Sequence, residues 1–577
     1  AEIKEFHHSS GKVRSQLLCG IPTLAIFSLI LVFGTLATRL TIARTKIPAI
    51  IVSQNSGSIG RYDIYELTLN GASASYANPW DDVRISAIFD GPSGHYAVGG
   101  FYYDVNTWKV RFAPSVAGKW TWRLVFSAPD GTYASSGSFT ATESANSGFL
   151  RVNPAYPRHF LTEGNGNVFY AIGFNDCVGF DFDHDPWLWW GMDGTGIIDW
   201  GAGQRMTRDN TKGGRTDQYF DIYASQGKNN YFRAGPGNCA IGLLRASNVK
   251  RSGRNTYDIA NGKYWDTLVA KLHADSIKYQ MEMIADPRAI APNFDLSNAP
   301  VRASVLDYHQ YILNRFGAYV DVWELFNEQT DVPQGYLDAV TGFLNAQDPY
   351  RHPITMSFDQ PKDNASALAV SAGDHSYYGD DLTTLDQAVA RYCNGLKNQQ
   401  NLNKPLIAGE IGNSSPMGNN VPGHYRDMLW TNNMNQCASI FWNMSGAQVI
   451  NAKRGPTNMY IGPQQRLESA VFSKFIAGFD PAAQPLQVTL APVSQFRAYV
   501  LGSAQDIVGY FVHSADPSVS LSGASVQLSI PANGMSGQWI DPATGNVLKT
   551  FSVPPGLQTL PIPSFMFDIA LRIRDKD

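Results

Sequence analysis

At 577 residues the chain is too long for one hydrophobic core, so it must divide into several domains. Only 16% of its residues are charged and the formal net charge is −4, which leaves no electrostatic case for nucleic acid or polyanionic partners. Aromatic residues reach 12%, with 13 Trp and 27 Tyr. Their rings can stack on the apolar faces of pyranose sugars, but β-rich cores use aromatics freely too.

The chain starts with Lys4, Lys12 and Arg14, then an apolar run at 17–37 long enough to cross a bilayer, then Arg39 and Arg44. Residues 1–45 read as a signal peptide or membrane-anchor helix, and 46–60 as a polar linker. The expectation is a secreted or cell-surface (periplasmic) protein, with anchoring through 17–37 left open. Of five cysteines, Cys19 lies in the apolar run. Cys177, Cys239, Cys393 and Cys437 show neither CxxC nor zinc spacing, so disulfides and buried thiols both remain open.

From 61 to 147 short alternating strands (62–69, 83–89, 96–103, 108–112, 120–126) are separated by turns such as Asn70-Gly71 and Asp130-Gly131, which predicts a β-sandwich. After Gly148 the rhythm lengthens. Eight strand-like runs at 168–174, 231–234, 280–285, 320–326, 354–358, 373–377, 406–409 and 438–442 alternate with helical stretches at 264–277, 301–316, 335–346, 382–396 and 423–433. This predicts a (β/α)8 TIM barrel over 148–480. The long insert 176–218 carries Trp187, Trp189, Trp190 and Trp200, and loops of that length are usually functional. A β rhythm returns over 481–577, giving a second β-sandwich. The predicted fold class is therefore multidomain: a central barrel between two antiparallel β-sandwiches, behind an apolar N-terminal helix.

Two glutamates stand where a core strand should not carry charge. Val322-Trp323-Glu324-Leu325-Phe326-Asn327-Glu328 and Leu406-Ile407-Ala408-Gly409-Glu410 each place a carboxylate at the end of an apolar run. Burial costs such a group desolvation, and the C-terminal strand ends of a barrel are its active-site face. Two carboxylates are what glycoside hydrolysis needs. The plain alternative is two strand-end glutamates paired with arginines. Glu324, four residues before Glu328, rivals it for the acid role.

With Asn327-Glu328, Glu410, Arg233, His375-Ser376-Tyr377, Trp442 and Asp348-Pro349-Tyr350-Arg351-His352-Pro353 in hand, the barrel resembles the retaining glycoside hydrolases of clan A, family-5-like in style. Trp108–Pro114 with Gly118-Lys119-Trp120 resembles the immunoglobulin-like module that often precedes such barrels, and Gln538–Pro542 the β-sandwich that often comes after them. The resemblance implies Glu328 as general acid/base with a raised pKa and Glu410 as nucleophile. It implies Arg233 as the cation beside Glu410, Asn327 on the sugar's 2-hydroxyl, Tyr377 and His375 as orienting groups, and Trp442 under the sugar. Asn175, Tyr378, Trp187 and Trp190 complete the substrate-binding candidates. Arg233 could instead serve a core carboxylate, and His375 could be a core histidine. No cofactor or metal is expected, since Asp181, Asp183, His184 and Asp185 lack ligand spacing. The rival to an enzyme acting on a poly- or oligosaccharide is a non-catalytic carbohydrate-binding or adhesive surface protein on a barrel scaffold.

Overall fold

The computed structural model describes residues 50–71, 76–175, 198–199, 205–206, 220–236, 242–244, 255–357, 375–379, 381–400, 403–413, 423–442, 461, 463–531 and 534–575. The expected leader and most of the insert 176–218, with Trp187 and Trp190, lie outside them. No helix among the described residues is long and apolar enough to cross a membrane.

The central sheet has eight parallel strands: β1 (Ile172–Asn175), β2 (Tyr231–Ala234), β3 (Lys278–Glu282), β4 (Val322–Glu324), β5 (Ile354–Thr355), β6 (His375–Tyr378), β7 (Ile407–Asn413) and β8 (Ala438–Phe441). They hydrogen-bond in the order β5-β4-β3-β2-β1-β8-β7-β6, so the first strand lies between the second and the eighth, as in a TIM barrel. Among the described residues β5 and β6 share no ladder. The β1–β8 pairing passes close at Gly173, where a Cβ would come within 2.8 Å of the Ser439 carbonyl oxygen.

Helices α1 (Ile259–Ala274), α2 (Ala299–Phe316), α3 (Gln334–Gln347), α4 (Leu385–Gln400), α5 (His424–Met434) and α6 (Pro463–Ile476) alternate with the strands. Asp258 and Asn298 start α1 and α2 by accepting the N–H of Asn261 and Val301, satisfying donors that a helix start leaves orphaned. The apolar faces of these helices, including Trp265, Leu272, Ile312, Val389 and Phe472, join the barrel's outer faces in one buried cluster. Each such side chain contributes about 1.5–3 kcal/mol through burial.

One predicted strand, 168–174, is broken in two. The Asn230 side chain donates to Tyr170 O (2.9 Å) and accepts the Ile172 N–H (2.8 Å), taking the ladder bonds on either side of Ala171. Val168–Phe169 instead joins Leu150–Val152 and Phe160–Thr162 in a small antiparallel sheet. Its Leu150 and Phe160 cluster with Tyr231, Val322 and Ile407, at the N-terminal ends of β2, β4 and β7. That end of the barrel is therefore apolar and plugged.

Before the barrel, a four-stranded and a five-stranded sheet face each other around Tyr65, Phe89, Trp108, Phe112 and Trp120. All their pairings are antiparallel except Ser58–Gly60 with Gly131–Thr142. The predicted strand 96–103 is also corrected: Gly94–Gly99 and Phe101–Asp104 belong to different sheets, the crossing lying at Gly100. A Cβ at Gly100 would sit 2.7 Å from Ile85. After the barrel come a six-stranded and a three-stranded antiparallel sheet around Phe496, Phe511, Trp539 and Ile569.

Both flanking regions dock through buried charges. Arg111 Nη1 donates to Asp266 of α1 (2.7 Å), which also receives two bonds from Arg315 of α2. Arg426 of α5 binds Asp568 of the C-terminal sheet (2.7 Å), and Trp430 stacks on Tyr510. The Asp348–Pro353 stretch proves structural. Buried Asp348 accepts from Trp323 Nε1 and from the backbone N–H of Tyr350 and His352, while the Tyr350 hydroxyl accepts the Ala113 N–H.

Candidate active site

Seven of the predicted site residues meet at the C-terminal ends of the barrel strands. Asn175 ends β1, Arg233 lies on β2, Asn327 and Glu328 come just after β4, His375 and Tyr377 lie on β6, and Glu410 lies on β7. Register aligns them: Asn175 pairs with Arg233, and His375 with Glu410. The two-residue strand period turns His375 and Tyr377 to the interior, and sends Tyr378 to the other face, where it joins the apolar core.

Arg233 is the hub. Nη1 donates to Glu410 Oε1 (2.7 Å) and Asn175 Oδ1 (3.0 Å), Nη2 to Asn327 Oδ1 (2.7 Å) and Glu324 Oε1 (2.6 Å), and Nε to Glu324 Oε2 (2.6 Å). Arg233 thus binds both a core carboxylate, Glu324, and the candidate nucleophile, Glu410. Burial opposes its charge, but Glu324, Glu410 and Glu282 keep it cationic. Tyr377 OH donates to Glu410 Oε2. Burial, and then the Glu410 charge, push the Tyr377 phenol well above its ordinary pKa, so it stays a donor.

Glu324 is set apart from Glu328 by its burial. It is fully buried, and Gln280 Nε2 adds a bond of 2.7 Å to Oε2. Burial raises its pKa, yet the Arg233 charge and bonds prevail and hold it below the ordinary carboxylate value.

Glu328 differs in kind. Its side chain is 47% exposed, and its backbone has φ 49°, uncommon for a residue other than glycine, asparagine or aspartate. The Ser357 hydroxyl accepts its N–H at 3.0 Å and pins that conformation. His375 Nδ1 lies 2.6 Å from Glu328 Oε1 and 3.3 Å from Glu410 Oε2, bridging the two carboxylates. The His375 hydrogen bond, ahead of the opposing effect of burial, lowers the Glu328 pKa. The raised value expected of the acid is therefore not a property of the open site.

Glu328, His375 and Glu410 bring side-chain N and O atoms to within 4.8 Å of one another, the one group among the described residues close enough to hold a metal ion. The shared imidazole already accounts for that closeness. Trp442 is half-buried just after β8, its N–H bonded to Ile411 O of β7 (2.7 Å). Cys393 and Cys437 are buried and free; Cys177 and Cys239 lie outside the described residues.

Sequence reasoning missed Gln280, Glu282 and Ser357. The first two had a signal: Lys278, Gln280 and Glu282 alternate with Tyr279 and Met281, a polar face on an otherwise apolar strand.

A family described as a domain of unknown function (DUF5060) matches residues 58–127, within the N-terminal sheets. No curated protein matches the chain in sequence. Among solved structures, the chain is similar to a putative glycoside hydrolase from Bacteroides vulgatus (TM-score 0.57, 18% identity, covering 90% of this chain and 100% of that one). It is also similar to a structure named glycoside hydrolase (TM-score 0.51, 14% identity, 75% and 98%) and to a glycoside hydrolase family 5 protein from Bacteroides vulgatus (TM-score 0.50, 14% identity, 74% and 93%). At these identities the similarity shows a shared fold and nothing finer.

Proposed function

We propose that the protein is a glycosidase that cleaves O-glycosidic bonds of a poly- or oligosaccharide by retaining double displacement. The observation that carries this reading is the Glu328–Glu410 pair, with oxygens within 4.8 Å of each other at one barrel mouth. Retaining enzymes space their carboxyl groups about 5–5.5 Å apart, whereas inverting ones leave about 6.5–9.5 Å for a water. Glu410, held by Arg233 and Tyr377, attacks the anomeric carbon as the glycosidic C–O bond breaks. Glu328, exposed toward the opening, gives its proton to the leaving oxygen, then takes one from the water that displaces Glu410. Asn327 has its Oδ1 fixed by Arg233, which leaves Nδ2 as the donor for the sugar's 2-hydroxyl. A bound sugar removes water from Glu328, and that desolvation raises the pKa which His375 lowers in the open site.

In this reading residues 148–480 form the catalytic module between an immunoglobulin-like module at 61–147 and a β-sandwich at 481–577. Residues 1–45 direct export. Incubation with a fluorosugar carrying a good leaving group tests the mechanism. A covalent adduct mapped to the peptide containing Glu410 is expected; an adduct elsewhere, or hydrolysis with inversion, would refute it.

A further inference from the structure

Below the catalytic pair lies a carboxyl group that the mechanism does not use. Glu282, the last residue of β3, is 3% exposed, and its Oε2 lies 3.7 Å from Arg233 Nη2, beyond hydrogen-bonding distance. Its Oε1 is buried without a hydrogen-bond partner among the described residues. The reason lies in donor arithmetic. A guanidinium offers five N–H donors, and Glu324, Glu410, Asn327 and Asn175 accept all five from Arg233. The other titratable groups facing Glu282 are Glu324 of β4, Glu328 beyond it, Glu410 of β7, Tyr279 of its own strand and Tyr308 of α2. Four carboxyl groups thus surround one cation, and Glu282 is the one whose Oε1 finds no donor among the described residues. An unpaired anion there would pay full desolvation inside a negative field.

Gly235 closes the other side. A Cβ on it would lie 2.0 Å from the Glu282 carbonyl oxygen and 2.4 Å from its Cβ, so the chain leaving β2 packs directly on this residue.

We propose that Glu282 is a positioning residue that must stay protonated: as a neutral carboxyl it leaves Arg233 free to hold Glu410 and Asn327, and its ionisation dismantles that arrangement. Ionised, it would recruit the nearest donor, Arg233 Nη2, at the expense of the Asn327 bond. Asn327 and, through Nη1, Glu410 would lose their placement. Burial, followed by the opposed effect of Arg233 and the fields of the other glutamates, pushes its pKa up to about 8, in keeping with this geometry.

The inference rests on the proposed glycosidase reading for its kinetic consequence, so two readouts are needed. The first is independent of activity. A carboxyl that titrates near 4.5 unfolded and near 8 folded makes wild-type stability fall as pH rises across that window, because the unfolded state there binds fewer protons. Glu282→Gln removes that fall. The Tm of Glu282→Gln minus that of wild type should therefore grow between about pH 5 and about pH 8 and then level off. The second is kcat/KM on an aryl glycoside, whose leaving group needs no proton and so hides Glu328. Wild type should lose about tenfold per unit above about pH 8, and Glu282→Gln should lack that limb.

A Tm difference constant with pH overturns the proposal. A growing difference with superimposable pH–rate profiles overturns the positioning role. A growing difference with no turnover of any glycoside sustains the buried proton and refutes the glycosidase reading instead. Should the variant not fold, infrared difference spectra of wild type decide. Loss of one protonated-carboxyl band across about pH 8 supports the proposal, and its absence overturns it.

Discussion

Glu328 and Glu410 are chemically identical side chains made unequal by their neighbours. Glu410 is buried and held by a cation and a phenol; Glu328 is half open, on a left-handed backbone fixed by Ser357 and bonded to His375. Since the His375 bond is the main cause that lowers the Glu328 pKa, His375→Ala should let it rise. The alkaline limb of kcat/KM on an unactivated oligosaccharide should then move to higher pH, alongside a general loss of rate. A limb that stays or moves down would separate His375 from the proton. Ser357→Ala should lower kcat about tenfold to a hundredfold on the same substrate, with less effect on aryl glycosides, because it frees the acid but not the nucleophile. Asn327, Glu328 and Glu410 stood out in the sequence because charged and amide groups closed apolar runs, whereas Ser357 carried no such signal. Glu282 shows in the sequence only as one of three alternating polar residues, because the expected run 280–285 extends past it while β3 ends at Glu282. In a run that extends to 285, Glu282 lies inside the strand and does not stand out as a strand-end carboxylate.

The strand and helix rhythm of the barrel could be read from hydrophobic period and turn residues, and all eight strands fall on or beside the expected runs. What could not be read were decisions made by tertiary partners. The Asn230 amide splits 168–174 into two strands, and the two halves of 96–103 part at Gly100, where a Cβ would meet Ile85. Helix α6 was missed because Pro463 and the two glutamines after it mask its apolar face, which packs Phe472 and Phe475 on Trp430. The docking charges were equally hidden. Asp266 sits between Arg111 and Arg315, so Asp266→Asn leaves two buried guanidinium groups short of a counter-charge. A loss of about 3–5 kcal/mol in urea unfolding is expected. Burial opposes the Asp266 charge, but Arg111 and Arg315 hold its pKa below 3.8. Its contribution is therefore complete above that pH and disappears as pH falls through the lowered value, so the gap between variant and wild type should close in acid. A gap unchanged by acid would place the cost elsewhere.

Across the whole molecule, the barrel shares its core with the C-terminal sheets. Leu501, Val508, Tyr510 and Ala570 of those sheets belong to the same apolar cluster as α5 and α6, and Arg426, Arg497 and Arg572 make buried or half-buried ion pairs across or beside the junction. Removing 481–577 would expose that surface and orphan Arg426, with Glu468 its sole remaining partner among the described residues. The truncated chain should be insoluble or should melt well below the full one. Calorimetry of the full chain should show one transition for the barrel and C-terminal sheets, and two separate transitions would contradict the shared core.

The central claim, that Glu410 is the nucleophile and Glu328 the acid/base, is tested most directly by azide rescue on an activated glycoside. Glu410→Ala should lose turnover and regain it with azide, which attacks from the vacated face and gives a glycosyl azide of inverted configuration. Glu328→Ala should still form the covalent intermediate and be rescued by azide with retained configuration. Hydrolysis by both variants at the parental rate would contradict the account.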